Sequence, residues 1–222
     1  MSEFKKRMES YRRHPGSFLL FLLVMLSALT TFVVLLFLIA YILIKGVPNL
    51  KPSLFAWKYT TDNASMLPSI INTLIMTVMS LLIAVPFGIF SAIYLTEYAK
   101  KGNKLVGIIR LTTETLSGIP SIVYGLFGSL FFVTYLKWSY SLAAGALTLA
   151  IMILPLVMRT TEEALKSVPD MYREGSFGLG AGKLRTVFCV VLPSAIPGIL
   201  SGVILSIGRI VGETCLLYTS DA

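Results

Sequence analysis

Residues 18–44 read FLLFLLVMLSALTTFVVLLFLIAYILI, 27 residues without one Asp, Glu, Lys or Arg. A helix of roughly 20 apolar residues crosses the hydrocarbon core of a bilayer, so this run is long enough to span. Basic residues precede it, which leaves a signal peptide as the alternative. A signal core has about 7–15 apolar residues and ends in a small-x-small cleavage site. This run is nearly twice as long and ends Tyr41-Ile42-Leu43-Ile44-Lys45. It reads as a retained anchor.

Four more uncharged runs follow: Met66 to Leu95, Thr115 to Leu136, Trp138 to Met158 and Val187 to Gly208, of 30, 22, 21 and 22 residues. The chain is 55% hydrophobic and 14% charged, against about a quarter charged in soluble domains. The runs are continuous, unlike the alternating segments of about 10 residues in an outer-membrane barrel. Lipid also forces each spanning backbone to bond within itself. The fold class is therefore all-α: a polytopic transmembrane helix bundle with five spans.

The net charge of +8 invites a nucleic-acid reading, which the distribution of charge opposes. The N-terminal tail carries Lys5, Lys6, Arg7, Arg12 and Arg13. The loop after the second span has Lys100, Lys101, Lys104 and Arg110, and the long polar segment after the fourth has Arg159, Lys166, Arg173, Lys183 and Arg185. These 14 fall on one side and only Lys45, Lys51, Lys58 and Lys137 on the other. By the positive-inside rule the N-terminus is cytoplasmic and the spans alternate from there. Cys189 and Cys215 show no CxxC spacing, and His14 is the only histidine. No metal site, cofactor site or His-dependent catalytic site follows.

The resulting organisation is a basic cytoplasmic tail (1–17), a first transmembrane helix (18–44), an external loop (45–65) and a larger transmembrane region (66–214). Trp57 and Tyr59 suit the membrane interface. The third span starts near Leu105, with Arg110 and Glu114 on one helix face. The fourth runs over about 139–158. Residues 159–193 are the one sizeable cytoplasmic segment between spans. Thr161 to Lys166 favours a helix, Val168-Pro169 breaks it, and Asp170 is placed to cap a second short helix through Tyr172, Glu174 and Phe177. Gly178, Gly180 and Gly182 permit a bend before an amphipathic stretch from Leu184 to Val191, which ends at Leu192-Pro193. The fifth span begins near Pro193 to Pro197 and carries Arg209 and Glu213, four apart and on one face. A solvated connector remains the plain alternative for 159–193, and interface snorkelling for Arg209.

Within that segment Glu174-Gly175-Ser176, three residues, Gly180, nine residues and Val190-Val191-Leu192-Pro193 follow the spacing E-A-A, three residues, G, nine residues, I-x-L-P. That signature resembles the cytoplasmic coupling segment of ABC importer permeases with a MetI-like transmembrane domain. Gly175, Ser176 and Val190 depart from it by small or conservative changes. Gly118-Ile119-Pro120-Ser121-Ile122-Val123-Tyr124-Gly125-Leu126-Phe127-Gly128 and Gly208-Arg209-Ile210-Val211-Gly212-Glu213-Thr214 resemble phosphate importer permeases of the PstA type.

The resemblance implies a transport subunit without catalytic residues, cofactor or metal. Glu174, Gly175, Ser176, Gly180, Leu192 and Pro193 would couple to an ABC ATPase dimer. Arg209, Glu213, Ser117, Gly118, Pro120 and Ser121 would line the translocation pathway. A second homologous permease subunit, an external phosphate-binding protein, inorganic phosphate and the lipid bilayer complete the implied partners, without nucleic acid. The implied location is the bacterial plasma (inner) membrane. Alternatives are a permease for another oxyanion or solute, a membrane enzyme, and a channel or structural anchor. The sequence has no Gly-x4-Gly-Lys-Ser/Thr phosphate loop, HExxH or GxSxG.

The family is expected to continue to a sixth span after Thr214. Residues 215–222 do not resemble that continuation, and they back-translate to a string resembling a sequencing-library adapter. The expectation is a non-native end and a C-terminally truncated permease.

The charge asymmetry predicts accessibility from outside. With the native cysteines replaced, Ser53→Cys should react with an impermeant thiol reagent added to whole cells, and Lys166→Cys should not. The reverse pattern contradicts the topology.

Overall fold

The computed structural model describes residues 15–50, 52–57, 65–100 and 102–213, and the helices below are numbered within them. Residues 215–222 and Tyr59 lie outside this set. The chain divides into two compact units, Met1–Leu67 and Pro68–Ala222. In the first, α1 (Pro15–Gly46) is apolar around its whole circumference. Its Ser27, Thr30 and Thr31 hydroxyls each donate to the carbonyl four residues earlier, at 2.8 Å. They thus leave no unsatisfied donor for lipid. Two single 3-10 turns follow, Val47–Asn49 and Pro52–Phe55.

The helices that follow are α2 (Leu67–Ile93), α3 (Lys104–Ser117), α4 (Ser121–Gly128), α5 (Leu142–Ser167), α6 (Asp170–Gly178), α7 (Lys183–Thr186) and α8 (Leu192–Val211), joined by short turns. Wider π-helical turns extend α2 through Tyr94–Tyr98 and α4 through Ser129–Tyr135, and join α7 to α8 through Val187–Val191. Among the described residues, four helical stretches are long and apolar enough to cross a membrane, and a bent pair makes a fifth candidate. This is the expected helix bundle.

Helix α5 is its axis. Leu149, Met152, Ile153, Val157 and Leu165 are fully enclosed. Small residues bring the neighbours close, as is common where helices pack in lipid. Gly88 of α2 faces Val157, Gly128 of α4 faces Thr148, and Gly202 and Gly198 of α8 face Thr160 and Ala164. Two clusters stack along this axis. One joins Ala92, Ile93 and Leu95 to Leu165, Val168, Val187 and Val191. The other joins Met76, Ala84 and Tyr124 to Leu149, Met152, Ile153 and Ile210. Buried Ser80 ties α2 to α5 directly, its hydroxyl lying 2.6 Å from the Met76 carbonyl and 3.0 Å from that of Ala146.

The structure corrects several boundaries. The fourth span does not stop at Met158: α5 runs unbroken to Ser167. Nothing between Met158 and Thr161 breaks a helix, and the stop comes at Val168-Pro169, where proline disfavours helix in the residue before it. Asp170 is the first helical residue rather than the cap, which is Pro169. Leu192-Pro193 is no break either. The helical path from Lys183 to Val211 is continuous, and a π-helical turn immediately precedes Pro193. Such local adjustments accommodate the carbonyls that proline leaves unbonded.

The third span is broken as well. Helices α3 and α4 meet at 99°. Gly118 caps α3, and Pro120 takes the extended conformation (φ −58°, ψ 140°) that starts α4. Proline has no N–H to continue the helix and pushes Ile119 out of it. The segment Ser117 to Ser121 is a corner.

A methyl group on Gly198 would stand 2.6 Å from the Ala164 β-carbon, which cannot move without its backbone. Gly198→Ala should therefore destabilise the protein by about 1–3 kcal/mol, read as earlier thermal loss of the monodisperse species in detergent. Ala164→Gly in the same chain should restore much of it.

Candidate functional site

Two regions hold the predicted site residues. The first is the end of the bundle where α5 hands over to α6. Helix α6 closes with two hydrogen bonds, from the Gly180 N–H to the Phe177 carbonyl (2.9 Å) and from the Ala181 N–H to the Ser176 carbonyl (3.1 Å). Gly180 has φ +81°. This is the Schellman closure, whose left-handed position belongs to glycine because a β-carbon there is strained. The glycine of the spacing signature is therefore required by backbone conformation. No atom crowds its absent side chain.

The signature residues on α6 divide by face. The Ser176 hydroxyl turns inward and lies 2.8 Å from the Thr186 hydroxyl, which ties α6 to α7. Gly175 and Gly178 look into open space, with nothing within 4 Å of where a methyl would stand. Met171, Tyr172 and Leu179 are exposed beside them, Leu179 at 92%. Glu174 is exposed too and makes no ion pair among the described residues. Leu192 and Pro193 begin α8 at a distance along the chain, and Leu192 packs against the core cluster around Val191.

Arg173 and its surroundings were not legible as a site. Its guanidinium has five N–H donors, and all five are used. Nε and Nη2 reach Glu97 (3.1 and 2.8 Å), Nη2 the Leu165 carbonyl (2.9 Å), and Nη1 the Val168 carbonyl (2.8 Å) and Asp170 (3.1 Å). Beside it, Lys183 sits 5.1 Å over the Tyr98 ring. One signal was available in sequence, a lone arginine within a short helix bounded by carboxylates. Its main partner lies 76 residues away. A cleft of about 800 Å³ opens here, with Glu97, Lys100, Arg110, Lys166, Arg173 and Glu174 in its walls.

Arg110 and Glu114 do not pair. Arg110 instead crosses from α3 to Glu162 of α5 (2.7 Å), which also holds Lys166 at 2.7 Å. Buried Glu162 offers a better-shielded partner than exposed Glu114. A carboxylate this buried is expected to be paired.

The second region is the corner. The Tyr124 hydroxyl donates to the Leu116 carbonyl across it at 2.8 Å, alongside the Ile119 N–H at 3.1 Å. The Ser117 hydroxyl bonds back to the Glu114 carbonyl (2.8 Å). Ile210 of α8 packs in the cluster with Tyr124, against which Leu116 and Ile119 lie. Arg209 immediately precedes Ile210 on α8. Arg209 and the Ser117 to Ser121 motif are thus brought to one neighbourhood.

Glu213 is not brought there by the expected helical spacing. Helix α8 ends at Val211 with Gly212 as its cap, so the two charges do not share a helix face, and no ion pair joins them among the described residues. Gly208 and Gly212 flank this turn, and glycine is a poor helix residue. Arg209 instead occupies the last turn of α8, where a cation suits the helix dipole.

Residues 84–220 match the family described as binding-protein-dependent transport system inner membrane component. The chain belongs to that family. Among its relatives, a probable ABC transporter permease of Bacillus subtilis, YqgI, is 39% identical over 186 residues, 82% of this chain and 63% of the relative. The phosphate transport system permease protein PstA of Pasteurella multocida is 41% identical over 179 residues, 79% and 63% of the two chains. PstA of Yersinia pestis is 33% identical over 228 residues, 99% and 75%. The chain thus spans less than two-thirds of the first two relatives. A chain of the inward-facing MetNI methionine ABC transporter superposes with a TM-score of 0.54 at 23% identity, covering 66% of this chain and 68% of that one. The fold is of the expected MetI-like kind. The family match reaches into residues 215–222.

Tyr124→Phe removes the side-chain bond across the corner and leaves the Leu116 carbonyl to backbone N–H donors alone. It should destabilise the protein by about 0.5–1.5 kcal/mol, measured by thermal unfolding in detergent. Equal stability of the two proteins would show that the corner does not depend on that bond.

Proposed function

We propose that the chain is the membrane-spanning permease subunit of an ATP-driven phosphate importer in a bacterial plasma membrane. It would form half of the translocation pathway with a second permease subunit, and it would hydrolyse nothing itself. The observation that carries the coupling half of this reading is the outer face of α6. Glycine within a helix costs about 1 kcal/mol relative to alanine, yet none of the described residues crowds Gly175 or Gly178. A flat face beside exposed Met171, Tyr172 and Leu179, with Glu174 unpaired, suits close approach by a protein partner. On the resemblance, that partner would be an ABC ATPase, with Glu174, Gly175, Ser176 and Gly180 at the contact.

Phosphate as substrate is supported by the PstA relatives and by Arg209. A guanidinium binds phosphate oxygens through paired hydrogen bonds, and an arginine next to a broken span suits the route of a dianion. The generic name of the Bacillus subtilis relative keeps a permease for another oxyanion or solute as the second reading. The deciding experiment is uptake into proteoliposomes holding the full-length permease, its partner permease, the ATPase and the external binding protein. ATP-dependent accumulation of labelled phosphate, uncompeted by excess sulfate, is expected. Accumulation of a different solute instead would overturn the phosphate assignment.

Two variants of that complex probe the sites. Gly180→Asp should remain in the membrane while transport and ATPase co-purification both fall, because the left-handed closure of α6 is lost. Arg209→Gln should abolish or strongly reduce phosphate uptake in an intact complex, and Arg209→Lys should retain part of it, since charge survives without the planar fork. Normal uptake by Arg209→Gln would place the pathway elsewhere.

A further inference from the structure

We propose that Arg173 is the positioning residue through which displacement of α6 is passed to α2 and α5. This rests on the reading of α6 as the ATPase-docking helix. The docking face of α6 points outward, and its hold on the rest of the chain is a separate matter. Arg173 provides much of that hold. Its five donors end on three elements: Glu97 in the π-helical turn that finishes α2, the Leu165 and Val168 carbonyls around the end of α5, and Asp170 in the first turn of α6. The Arg173 and Glu97 side chains are 15% and 10% exposed, so water competes weakly for these bonds. A guanidinium at the end of α5 also meets the negative end of that helix dipole.

The geometry is selective for arginine. A lysine ammonium carries three donors at one point and cannot reach a carboxylate and two separate carbonyls as a planar fork does. The attachment is reinforced at the next residue of the α2 turn, where Tyr98 lies under Lys183. Beneath both, Ala92, Ile93 and Leu95 pack with Leu165, Val168, Val187 and Val191 in one cluster. The end of α2, the end of α5 and the α7 segment therefore form one block, and Arg173 fastens α6 to it. Force applied to α6 reaches the spans as movement of that block. With Arg173 gone, α6 still has its closure and its outer face, but slips relative to α2 and α5.

The test uses the complete importer in proteoliposomes, with Arg173→Gln, Arg173→Lys, Glu97→Gln and the double variant Arg173→Gln/Glu97→Gln. Three quantities are read: ATPase co-purifying with the permeases, ATP hydrolysed, and substrate imported per ATP. ATPase association and hydrolysis should stay near wild type in all variants. Import per ATP should fall about tenfold or more in Arg173→Gln and less in Arg173→Lys. It should fall in Glu97→Gln too, and the double variant should be no worse than Arg173→Gln alone, because the two residues act as a unit. Unchanged import per ATP, or losses that add in the double variant, would overturn the proposal. Loss of ATPase association in Arg173→Gln would overturn it as well, by making Arg173 part of the docking surface. If Arg173→Gln does not assemble, Glu97→Gln decides by the same readout, since it keeps the guanidinium and its carbonyl bonds. Failure of the wild-type complex to retain any ATPase would be a different result, and would refute the reading of α6 itself.

Discussion

The bundle rests on close approach of three helices to α5. In lipid, apolar burial drives helices together weakly, because the tails are as apolar as the side chains. Contact between surfaces must supply the stability instead, and it grows as backbones approach. Gly88, Gly128, Gly198 and Gly202 make that approach possible from α2, α4 and α8, each opposite a residue of α5. Everything with a functional reading is positioned by this arrangement. The α6 segment hangs from the far end of α5, and the corner between α3 and α4 is closed by Tyr124, which packs in the cluster shared with α5 and α8.

The second constraint is that buried polar groups need partners. It explains why charges that looked local in sequence are tertiary in the structure. Glu162 gathers Arg110 from another helix as well as Lys166 from its own. Glu97, in the turn that finishes α2, holds Arg173 of α6. These pairs lie where α2, α3, α5 and α6 meet, and so link the proposed docking helix to the arm that leads into the corner. Among the described residues the corner is the one place where a span is interrupted, and irregular backbone at membrane depth is tolerated where it is buried in protein or lines a cavity.

Much of this was legible in the sequence, for physical reasons that also mark where legibility stops. The spans could be read because lipid demands long uncharged runs, and Gly180 could be read because a fixed spacing marks the position that only glycine fills without strain. The end of α5 was misplaced because Arg159, Glu162 and Lys166 resemble solvent-facing loop charges, although they continue a helix and Glu162 is held by cations on either side. The Arg209 and Glu213 pairing assumed a helix that two glycines end early. Leu192-Pro193 looked like a boundary because proline usually is one, and a π-helical turn absorbed it. Arg173 was passed over because no local pattern announces a partner 76 residues away.

The central claim is that the outer face of α6 is the place where an ATPase docks. Photo-crosslinking in the assembled full-length complex tests it most directly, with a photoreactive residue in place of Leu179 and, as control, of Leu74, exposed on α2 far along the chain from α6. The account predicts a covalent adduct between position 179 and the ATPase subunit, and none from position 74. No adduct from 179, or equal yields from both positions, would contradict it.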